Sequence, residues 1–421
     1  MSFDFSFSNF GEKIGQEGGI VKLMKDLGEA LTENQKMRMM GGGNPAAIPE
    51  VQSIWREQIQ SIIDTPEYLN AILGDYDGPS GNPTFLNALA ESLNEKYGWH
   101  LTPKNISVTS GAQTAFFFLF NLLAGESKDG IKKILLPIAP EYIGYSNQGI
   151  NNDLFISNPG LIEETGEKSF KYKVDFDNIK ITKEIAAICV SRPTNPSGNV
   201  LTDQEVTKLS SIAKSHGIPF IIDNAYGNPF PGAIYTSANP IYDDHVILTL
   251  SLSKLGLPGT RTGIVIGHEK IIEKISAANA VIGLANNNIG QAMTTPLIKN
   301  RKIFKISEGT IRPYYFEKMQ RAREYVRQSF AESIPYKIHD GEGAFFLWFW
   351  FPDLPITSTE LYERLKKKNV LVVPGEYFFY GMNEEWEHTH QCIRITFSQP
   401  DDVIKEGVKI LSEEVKKAYQ L

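Results

Sequence analysis

Lys254 is the residue of this sequence whose surroundings point most directly to chemistry. It follows an apolar run at 245–250 that is typical of a buried strand, and it stands near Ser251, Ser253 and Arg261. Burial disfavours the charged form of a lysine, and a desolvated lysine forms Schiff bases with carbonyl compounds. The hydroxyls and the arginine are groups that hold phosphate. A solvated lysine on a surface loop would explain neither the strand nor the serines, so the segment indicates a lysine that holds a cofactor.

The elements that must position this lysine alternate along the chain. Strands are predicted at 106–109, 133–136, 185–190, 218–222, 246–250 and 264–266, and helices at 114–123, 203–216 and 269–280. This alternation predicts an α/β fold with a mainly parallel sheet that helices cover on both faces. Ligands of such sheets bind at the carboxyl ends of the strands.

Polar residues follow one predicted strand after another. In chain order they are Ser110, Glu141 with Tyr142, Asn195 within 192–196, Asp223 to Tyr226, and Ser251 to Lys254. Gly111, Ala112 and Gln113 form a turn into a helix, an arrangement that points free backbone N–H groups at an anion. One such group per strand predicts a single shared site.

Three segments of different character predict the domain organisation. Residues 1–55 form an N-terminal arm and part of a small domain, and they include the stretch Gly41-Gly42-Gly43-Asn44-Pro45. Residues 56–300 form the large domain, and residues 301–421 form a smaller α+β domain. The glycine stretch lacks the G-x-G-x-x-G spacing of a dinucleotide-binding loop.

Composition narrows the class of protein. The 421 residues carry a net charge of −7 with no basic block, which argues against a nucleic-acid partner. The N-terminus lacks a signal-peptide pattern, and the longest apolar runs are too short to span a bilayer. Cys189 and Cys392 both lie in apolar stretches, as expected of reduced thiols. We therefore expect a cytoplasmic protein without a membrane partner.

Together these residues resemble the fold-type I aminotransferases that use pyridoxal 5′-phosphate (PLP), from Gly43 to Arg394. The resemblance implies a large domain with a mainly parallel mixed sheet and a smaller α+β domain. It also implies that Lys254 holds the cofactor and carries the proton at the substrate Cα, and that Asp223 pairs with the pyridinium nitrogen.

The resemblance assigns roles to the other polar residues as well. Those implied to contact the cofactor are Tyr226 and Asn195 at the phenolic oxygen, Tyr142 on the ring, and Gly111, Ala112, Gln113, Ser251 and Arg261 at the phosphate. Gly43 and Arg394 would bind the substrate α-carboxylate, for which the planar fork of arginine is suited. Tyr76 would reach the phosphate of a neighbouring subunit, which implies a homodimer with shared active sites.

Several stretches sharpen the resemblance within the family; they are 41–49, 346–351, 353–357 and 388–392. They are similar to members that exchange amino groups between valine, alanine or 2-aminobutyrate and a 2-oxo acid such as pyruvate, by a ping-pong reaction through pyridoxamine phosphate. The segment 283–290 contains no cation, and a substrate with a distal carboxylate would need one. The arm around residues 14–20 is expected to close over a small apolar substrate.

Alternatives remain open from the sequence. Another PLP reaction on the same scaffold, such as C–S β-elimination, would use the same residues. A PLP-binding transcription regulator would need a DNA-binding module, and the residues ahead of Gly41 carry no helix-turn-helix pattern. Taken singly, Asp223 could cap a helix, Tyr226 could belong to the core, and Arg394 could form a structural ion pair.

His388, His390 and Cys392 are residue types that bind metal ions. These residues alternate along what the sequence predicts to be a strand, so that all three would share one face. No fourth ligand with suitable spacing accompanies them, and we therefore expect no metal.

Overall fold

Two β-sheets carry the residues singled out above. The computed structural model describes residues 5–16, 18–33 and 37–420 of the 421-residue chain. The strands are β1 (Arg38–Met39), β2 (Ile106–Ser110), β3 (Gly125–Ser127), β4 (Gly130–Ala139), β5 (Phe155–Pro159), β6 (Leu161–Gly166), β7 (Ser169–Lys173), β8 (Ile185–Ser191), β9 (Phe220–Asp223), β10 (Val246–Ser251), β11 (Thr262–Ile266), β12 (Lys337–His339), β13 (Phe346–Trp350), β14 (Val370–Leu371), β15 (Val373–Pro374) and β16 (Cys392–Thr396).

Helices precede, separate and follow these strands. The α-helices are α1 (Asn9–Ile14), α2 (Gly19–Glu33), α3 (Pro49–Ile63), α4 (Pro66–Gly74), α5 (Pro83–Tyr97), α6 (Ala112–Leu123), α7 (Asp203–Ser215), α8 (Glu269–Gly283), α9 (Ile289–Lys299), α10 (Lys302–Ile306), α11 (Arg312–Ser329), α12 (Ser358–Lys366) and α13 (Asp401–Ala418). Local signals fix several of these ends. Thr202 and Glu205 form a capping box at the start of α7, and Gly98 ends α5 in the left-handed conformation.

The eight-stranded sheet has the order β2-β11-β10-β9-β8-β4-β3, with β5 also paired to β4. β4, β5, β8, β9 and β10 run parallel, whereas β11 is antiparallel to both of its neighbours, β10 and β2. β2 therefore points the same way as β10. The predicted mainly parallel sheet is confirmed, and the carboxyl ends of β2, β4, β8, β9 and β10 share one edge.

Side chains from this sheet enter two separate cores. Ile221 and Ile247 pack on one face with residues of α6 and α8, whereas their neighbours Ile222 and Leu248 belong to the larger core on the other face. Successive side chains of a strand point to opposite faces, so an uninterrupted apolar run is the pattern of a strand that helices cover on both sides. This packing holds the strand ends, and the polar residues on them, in fixed positions.

The six-stranded sheet has the order β15-β16-β13-β12-β7-β6 and draws on distant parts of the chain. β6 and β7 come from within the predicted segment 56–300, and β7 pairs in parallel with β12. Near the N-terminus, β1 pairs in parallel with β14, which brings residues 38–39 to the C-terminal part of the fold. The segment boundaries 1–55, 56–300 and 301–421 stay a prediction; the eight-stranded sheet lies wholly within the middle segment, whereas the six-stranded sheet takes β6 and β7 from it and its other strands from 301–421.

One local prediction was wrong. Residues Glu387–Gln391 form a 3-10 helix, and the strand begins only at Cys392. His388 is buried, whereas the His390 side chain is 41% exposed, so the two histidines do not share a strand face with Cys392. In the described part of the chain, no helix is long and apolar enough to cross a membrane.

Candidate active site

The predicted residues meet around one cavity of about 470 Å³ at the carboxyl edge of the eight-stranded sheet. Those that line it are Gly43, Ala112, Gln113, Tyr142, Asn195, Asp223, Tyr226, Ser251, Lys254, Arg261 and Arg394. Gly111 is not in the cavity wall but lies directly against Arg261. Tyr76 is 81% exposed on the surface, and within this single chain it is not part of the cavity wall.

Lys254 is positioned by β10 and by the 3-10 turn Ser253–Leu255 that follows this strand. Its Nζ donates to Gly43 O at 2.6 Å and lies 5.3 Å from the centre of the Tyr226 ring. Burial and the nearby arginines lower the pKa of the amine to about 8, although Asp223 acts in the opposite direction. About a tenth of such an amine is neutral at pH 7, and the neutral form is the one that attacks a carbonyl.

Asp223 ends β9 and is 7% exposed. One of its carboxyl oxygens accepts a hydrogen bond from the Tyr145 hydroxyl, and the other accepts from Ala225 N at 2.9 Å. Burial raises the pKa of Asp223, and the hydrogen bond from Tyr145 opposes that shift. A buried carboxyl facing a cavity is suited to hold a proton on a nitrogen of a bound molecule.

Tyr145 is a site residue that sequence reasoning missed. It closes the 3-10 turn Ile143–Tyr145 and packs beneath Tyr142, with ring centres 5.2 Å apart. Residues three apart eclipse each other in such a turn, so the spacing of the two tyrosines was the available signal. Its hydroxyl donates a hydrogen bond to the Asp223 carboxyl and so holds it in place.

An anion cradle forms where α6 begins. Gly111 has φ +87°, and a Cβ there would lie 2.1 Å from Arg261 Nη2, so glycine lets the guanidinium reach the helix N-terminus. Ser251 lines the same cavity, and Gln113 Nε2 donates to Gly144 O at 2.7 Å, which ties α6 to the turn after Tyr142. A helix N-terminus beside a guanidinium favours a phosphate group.

Arg394 lies on β16 and is 3% exposed. Its Nη1 donates to Asn195 Oδ1 and its Nη2 to Gly41 O, each at 2.6 Å, and its Nε is buried without a hydrogen-bond partner. Burial lowers the pKa of Arg394 to about 10. Both of these acceptors are neutral oxygens, so the charge of the guanidinium is available to an incoming carboxylate.

Two tyrosines complete the wall. Tyr226 packs edge-on against Phe345 at 5.1 Å, and burial raises the pKa values of both Tyr226 and Tyr142. Both hydroxyls therefore stay protonated and can donate hydrogen bonds at neutral pH. Ile20, Leu23 and Met24 of α2 also line the cavity; Ile20 belongs to the predicted arm 14–20, whereas Leu23 and Met24 were not predicted.

The histidines named as metal candidates have other partners. His388 Nε2 contacts the Tyr172 hydroxyl at 2.5 Å and Cys392 Sγ at 3.4 Å, and burial lowers the pKa of His388 to about 3. His390 Nδ1 lies 3.1 Å from a Glu376 oxygen. In the described ranges, no group of three or more histidine, cysteine or acidic side chains is arranged to hold a metal ion.

Both the fold and the site lead to one class of enzyme. The sequence profile of the family "Aminotransferase class I and II" matches residues 49–411, so the chain belongs to this family and is an aminotransferase. Its cofactor is PLP, as the resemblance implied.

Individual relatives cover almost the whole chain. The chain is 48% identical to the valine–pyruvate aminotransferase of Escherichia coli strain K12, over 98% of this chain and 99% of that one. The crystal structure of the valine–pyruvate aminotransferase of Salmonella typhimurium LT2 matches with a TM-score of 0.88 and 47% identity, and covers 96% of this chain and 100% of that one. A putative amino-acid aminotransferase from Psychrobacter arcticum 273-4 matches with a TM-score of 0.96 and 43% identity, over 99% and 100% of the two chains.

The cavity fits PLP in three places. The cradle of Gly111 and Arg261 suits the phosphate, the low-pKa amine of Lys254 suits the aldehyde, and the buried carboxyl of Asp223 suits the ring nitrogen. Arg394, with its unpartnered Nε, is left over for a second anion.

Proposed function

We propose that the protein exchanges the amino group of valine, alanine or 2-aminobutyrate with a 2-oxo acid such as pyruvate. The observation that carries this proposal is the set of cations in the cavity wall. In the described chain they are Lys254, Arg261 and Arg394, and the proposed roles use all three of them. None of this chain's own wall cations remains for a distal carboxylate, which is costly to bury unpaired, and the segment 283–290 contains no cation that a neighbouring subunit could supply.

The remaining wall favours a short apolar side chain. Ile20, Leu23 and Met24 project from α2 towards the cavity, and Lys22 on the same helix pairs instead with Glu363 at 3.0 Å. The two relatives named as valine–pyruvate aminotransferases support the same substrate pair. The arm around residues 14–20 is predicted to close over the substrate; of its described residues, Ile20 in the first turn of α2 lines the cavity, and the closure itself stays a prediction.

Each site residue has a proposed task. PLP, when bound, supplies the electron sink that stabilises charge at the substrate Cα and carries the amino group between the two half-reactions. Lys254 Nζ takes the proton from Cα and returns it, Asp223 keeps a proton on the ring nitrogen, and Tyr145 holds the Asp223 carboxyl. Tyr226 and Asn195 donate to the phenolic oxygen, and Tyr142 covers the ring.

The substrate carboxylate is proposed to bind Arg394. The guanidinium is held in place by Asn195 Oδ1 and Gly41 O, and the cavity wall next to it includes Gly43. A pre-positioned, desolvated guanidinium binds a carboxylate bidentately without rearranging first.

A donor series tests the substrate proposal. The loaded enzyme is given pyruvate with valine or 2-aminobutyrate, or 2-oxoisovalerate with alanine, and aspartate and glutamate serve as comparison donors. We expect kcat/KM for the apolar donors to exceed that for aspartate by at least about a hundredfold, the scale of leaving one charge unpaired. Equal use of aspartate would overturn the proposal. Pyruvate released from a sulfur-containing amino acid without an acceptor would favour the β-elimination alternative.

We also propose that the enzyme is a homodimer in which Tyr76 serves the neighbouring active site. Tyr76 is exposed, as are Leu73 near the end of α4, Val281 and Ile282 near the end of α8, and Leu284 just after it, and Val281 is 85% exposed. Asn286 Nδ2 donates to Pro79 O at 3.0 Å, so the segments that follow α4 and α8 contact each other. Exposed apolar side chains on two segments in contact suit burial against a second copy of the chain.

We further propose that the protein works in the cytoplasm. Cys189 and Cys392 are both free and buried, which suits a reducing compartment. Fractionation of cells that express the tagged chain should recover it with cytoplasmic markers, and recovery with secreted or membrane markers would contradict this.

A further inference from the structure

Glu141 is a buried acid that the proposed reaction does not use. It follows β4 and is 1% exposed. No lysine, arginine or histidine of the described chain forms an ion pair with it, and burial raises its pKa to about 7. An apolar side chain could fill this place without the free-energy cost of desolvating a carboxyl, so the presence of an acid here needs another explanation.

The hydrogen bonds of Glu141 join two strand ends. Oε1 accepts from Ser191 N at 2.8 Å and from Ser191 Oγ at 2.7 Å, and Oε2 accepts from Tyr142 N at 2.9 Å. Tyr142 begins the turn after β4, and Ser191 ends β8. One carboxyl therefore satisfies the backbone N–H groups of two loops that enter the active site.

Both loops carry residues that face the cofactor cavity. Tyr142 is in the cavity wall, and Asn195 follows Ser191 by four residues and is bonded to Arg394. Ser191 is also the direct strand partner of Asp223, and Arg192 N donates to Asp223 O at 2.8 Å. A shift of Ser191 would therefore displace Asp223 and Asn195, and through Asn195 also Arg394. These residues are proposed to bind the ring nitrogen, the phenolic oxygen and the substrate carboxylate.

A third segment is joined to the same point. Glu141 N donates to Phe378 O at 2.9 Å, and the Tyr380 hydroxyl donates to Tyr142 O at 2.9 Å. The titratable groups around the carboxyl are Asp223 from β9, Cys189 from β8, Tyr145 from its own turn and Tyr380. None of them is a cation, so the carboxyl acts through hydrogen bonds and not through ion pairing.

We propose that Glu141 is a positioning residue, which clamps the ends of β4 and β8 so that Tyr142 and Asn195 face the PLP ring. The clamp persists whether or not the acid is ionised, because a protonated carboxyl still accepts from the two amides and donates to the Ser191 hydroxyl. The role is independent of which amino acid is the substrate, so a failed donor series would leave it intact.

The test measures cofactor geometry and needs no turnover. Apoprotein of the wild type, Glu141→Gln and Glu141→Leu is titrated with PLP, and the circular dichroism induced in the visible band of the bound cofactor is recorded. We expect Glu141→Gln, which keeps one acceptor, to bind PLP about tenfold more weakly, and Glu141→Leu, which keeps none, to bind more weakly still. The induced band should shrink in the same order, because the ring is no longer held at one angle.

Two further variants make the result specific. Ser191→Ala keeps the Ser191 amide and removes only its hydroxyl, so it should fall between the wild type and Glu141→Gln. Glu126→Gln changes an exposed acid on β3 and should match the wild type. Wild-type affinity and an unchanged induced band in both Glu141 variants would overturn the proposal. If Glu141→Leu does not fold, Glu141→Gln and Ser191→Ala decide by the same two readouts.

Discussion

Arg394 and Asn195 are joined by a hydrogen bond of 2.6 Å between Nη1 and Oδ1 that crosses from one sheet to the other. Arg394 lies on β16 of the six-stranded sheet, and Asn195 follows β8 of the eight-stranded sheet. The residue proposed to bind the substrate carboxylate therefore contacts a residue proposed to bind the cofactor. Displacing either side chain should disturb the position of the other.

Replacing Arg394 should separate substrate binding from cofactor binding. Arg394→Gln removes a charged hydrogen-bond donor from a buried site, and we expect KM for valine to rise about a hundredfold. PLP should still bind covalently, because Lys254 and the phosphate cradle are intact. Steady-state kinetics and the visible spectrum measure the two effects, with exposed Arg321→Gln as the control. An unchanged KM would show that the carboxylate binds elsewhere.

Asp223→Asn should bind PLP but transaminate at least about a hundredfold more slowly, because an amide cannot hold the pyridinium proton as an ion pair. Tyr145→Phe should show a smaller loss, since it removes one hydrogen bond to the same carboxyl. Single-turnover conversion by valine measures both variants. Asp129→Asn, in an exposed loop, is the matched control, and near-normal turnover of Asp223→Asn would mean that the residue is structural.

The pKa of Lys254 predicts how capture of the cofactor depends on pH. With a pKa of about 8, the neutral amine grows about tenfold between pH 7 and 9 and then levels off. The rate at which apoprotein forms borohydride-reducible PLP on Lys254 should follow this curve. Arg394→Gln removes a nearby cation that lowers this pKa, so its midpoint should move upward. Label on another lysine, or a rate still rising at pH 10 in the wild type, would contradict the assignment.

Hybrid dimers test whether active sites are shared. Tyr76→Ala and Lys254→Ala should each be nearly inactive alone, and the mixture should regain about a quarter of wild-type activity, because half of the dimers then contain one intact site of two. Asp223→Asn mixed with Lys254→Ala should recover nothing, since both changes lie on residues of the same chain's cavity. Light scattering that finds a fully active monomer would exclude the shared site.

Glu141 should also leave a signature in stability. Burial raises its pKa from 4.5 to about 7, so the folded protein binds this proton more tightly than the unfolded chain does. The group's contribution to the free energy of unfolding is therefore present below pH 4.5 and lost as the pH rises to about 7. The apoprotein Tm of Glu141→Gln relative to the wild type should increase from pH 5 to pH 8. A constant difference across that range would contradict the raised pKa.

The sequence predicted six strands of the eight-stranded sheet, but not β3 or β5, and it predicted the polar residues at the strand ends that line the cavity, because these depend on local signals. An apolar run followed by Asp223 or Ser251 marks a buried strand and its polar end, and parallel strands bring such ends together. The same reasoning placed Lys254 and Asn195 around one cavity.

What the sequence could not predict depends on contacts between distant residues. The pairing of Ile338 with Ser169 in the six-stranded sheet leaves no trace in local periodicity. The role of Tyr145 depends on the hydrogen bond from its hydroxyl to Asp223, which lies 78 residues further along the chain. The strand predicted through His388 was wrong for a local reason, because alternation over a few residues does not distinguish a strand from a tight turn.

The recruitment of β1, β6 and β7 has a consequence for how the polypeptide acquires its shape. The six-stranded sheet needs residues 161–173 and 337–396, and β1 at 38–39 can pair only after residues 370–371 have been synthesised. Nearly the whole chain must therefore be synthesised before the six-stranded sheet can form, and Arg394 is among the last residues to be added. Structures that depend on such distant pairings form slowly and expose unpaired strand edges meanwhile. A break near residue 300 would separate β6 and β7 from the other strands of their sheet, so we expect the two pieces to expose unpaired strand edges and to aggregate.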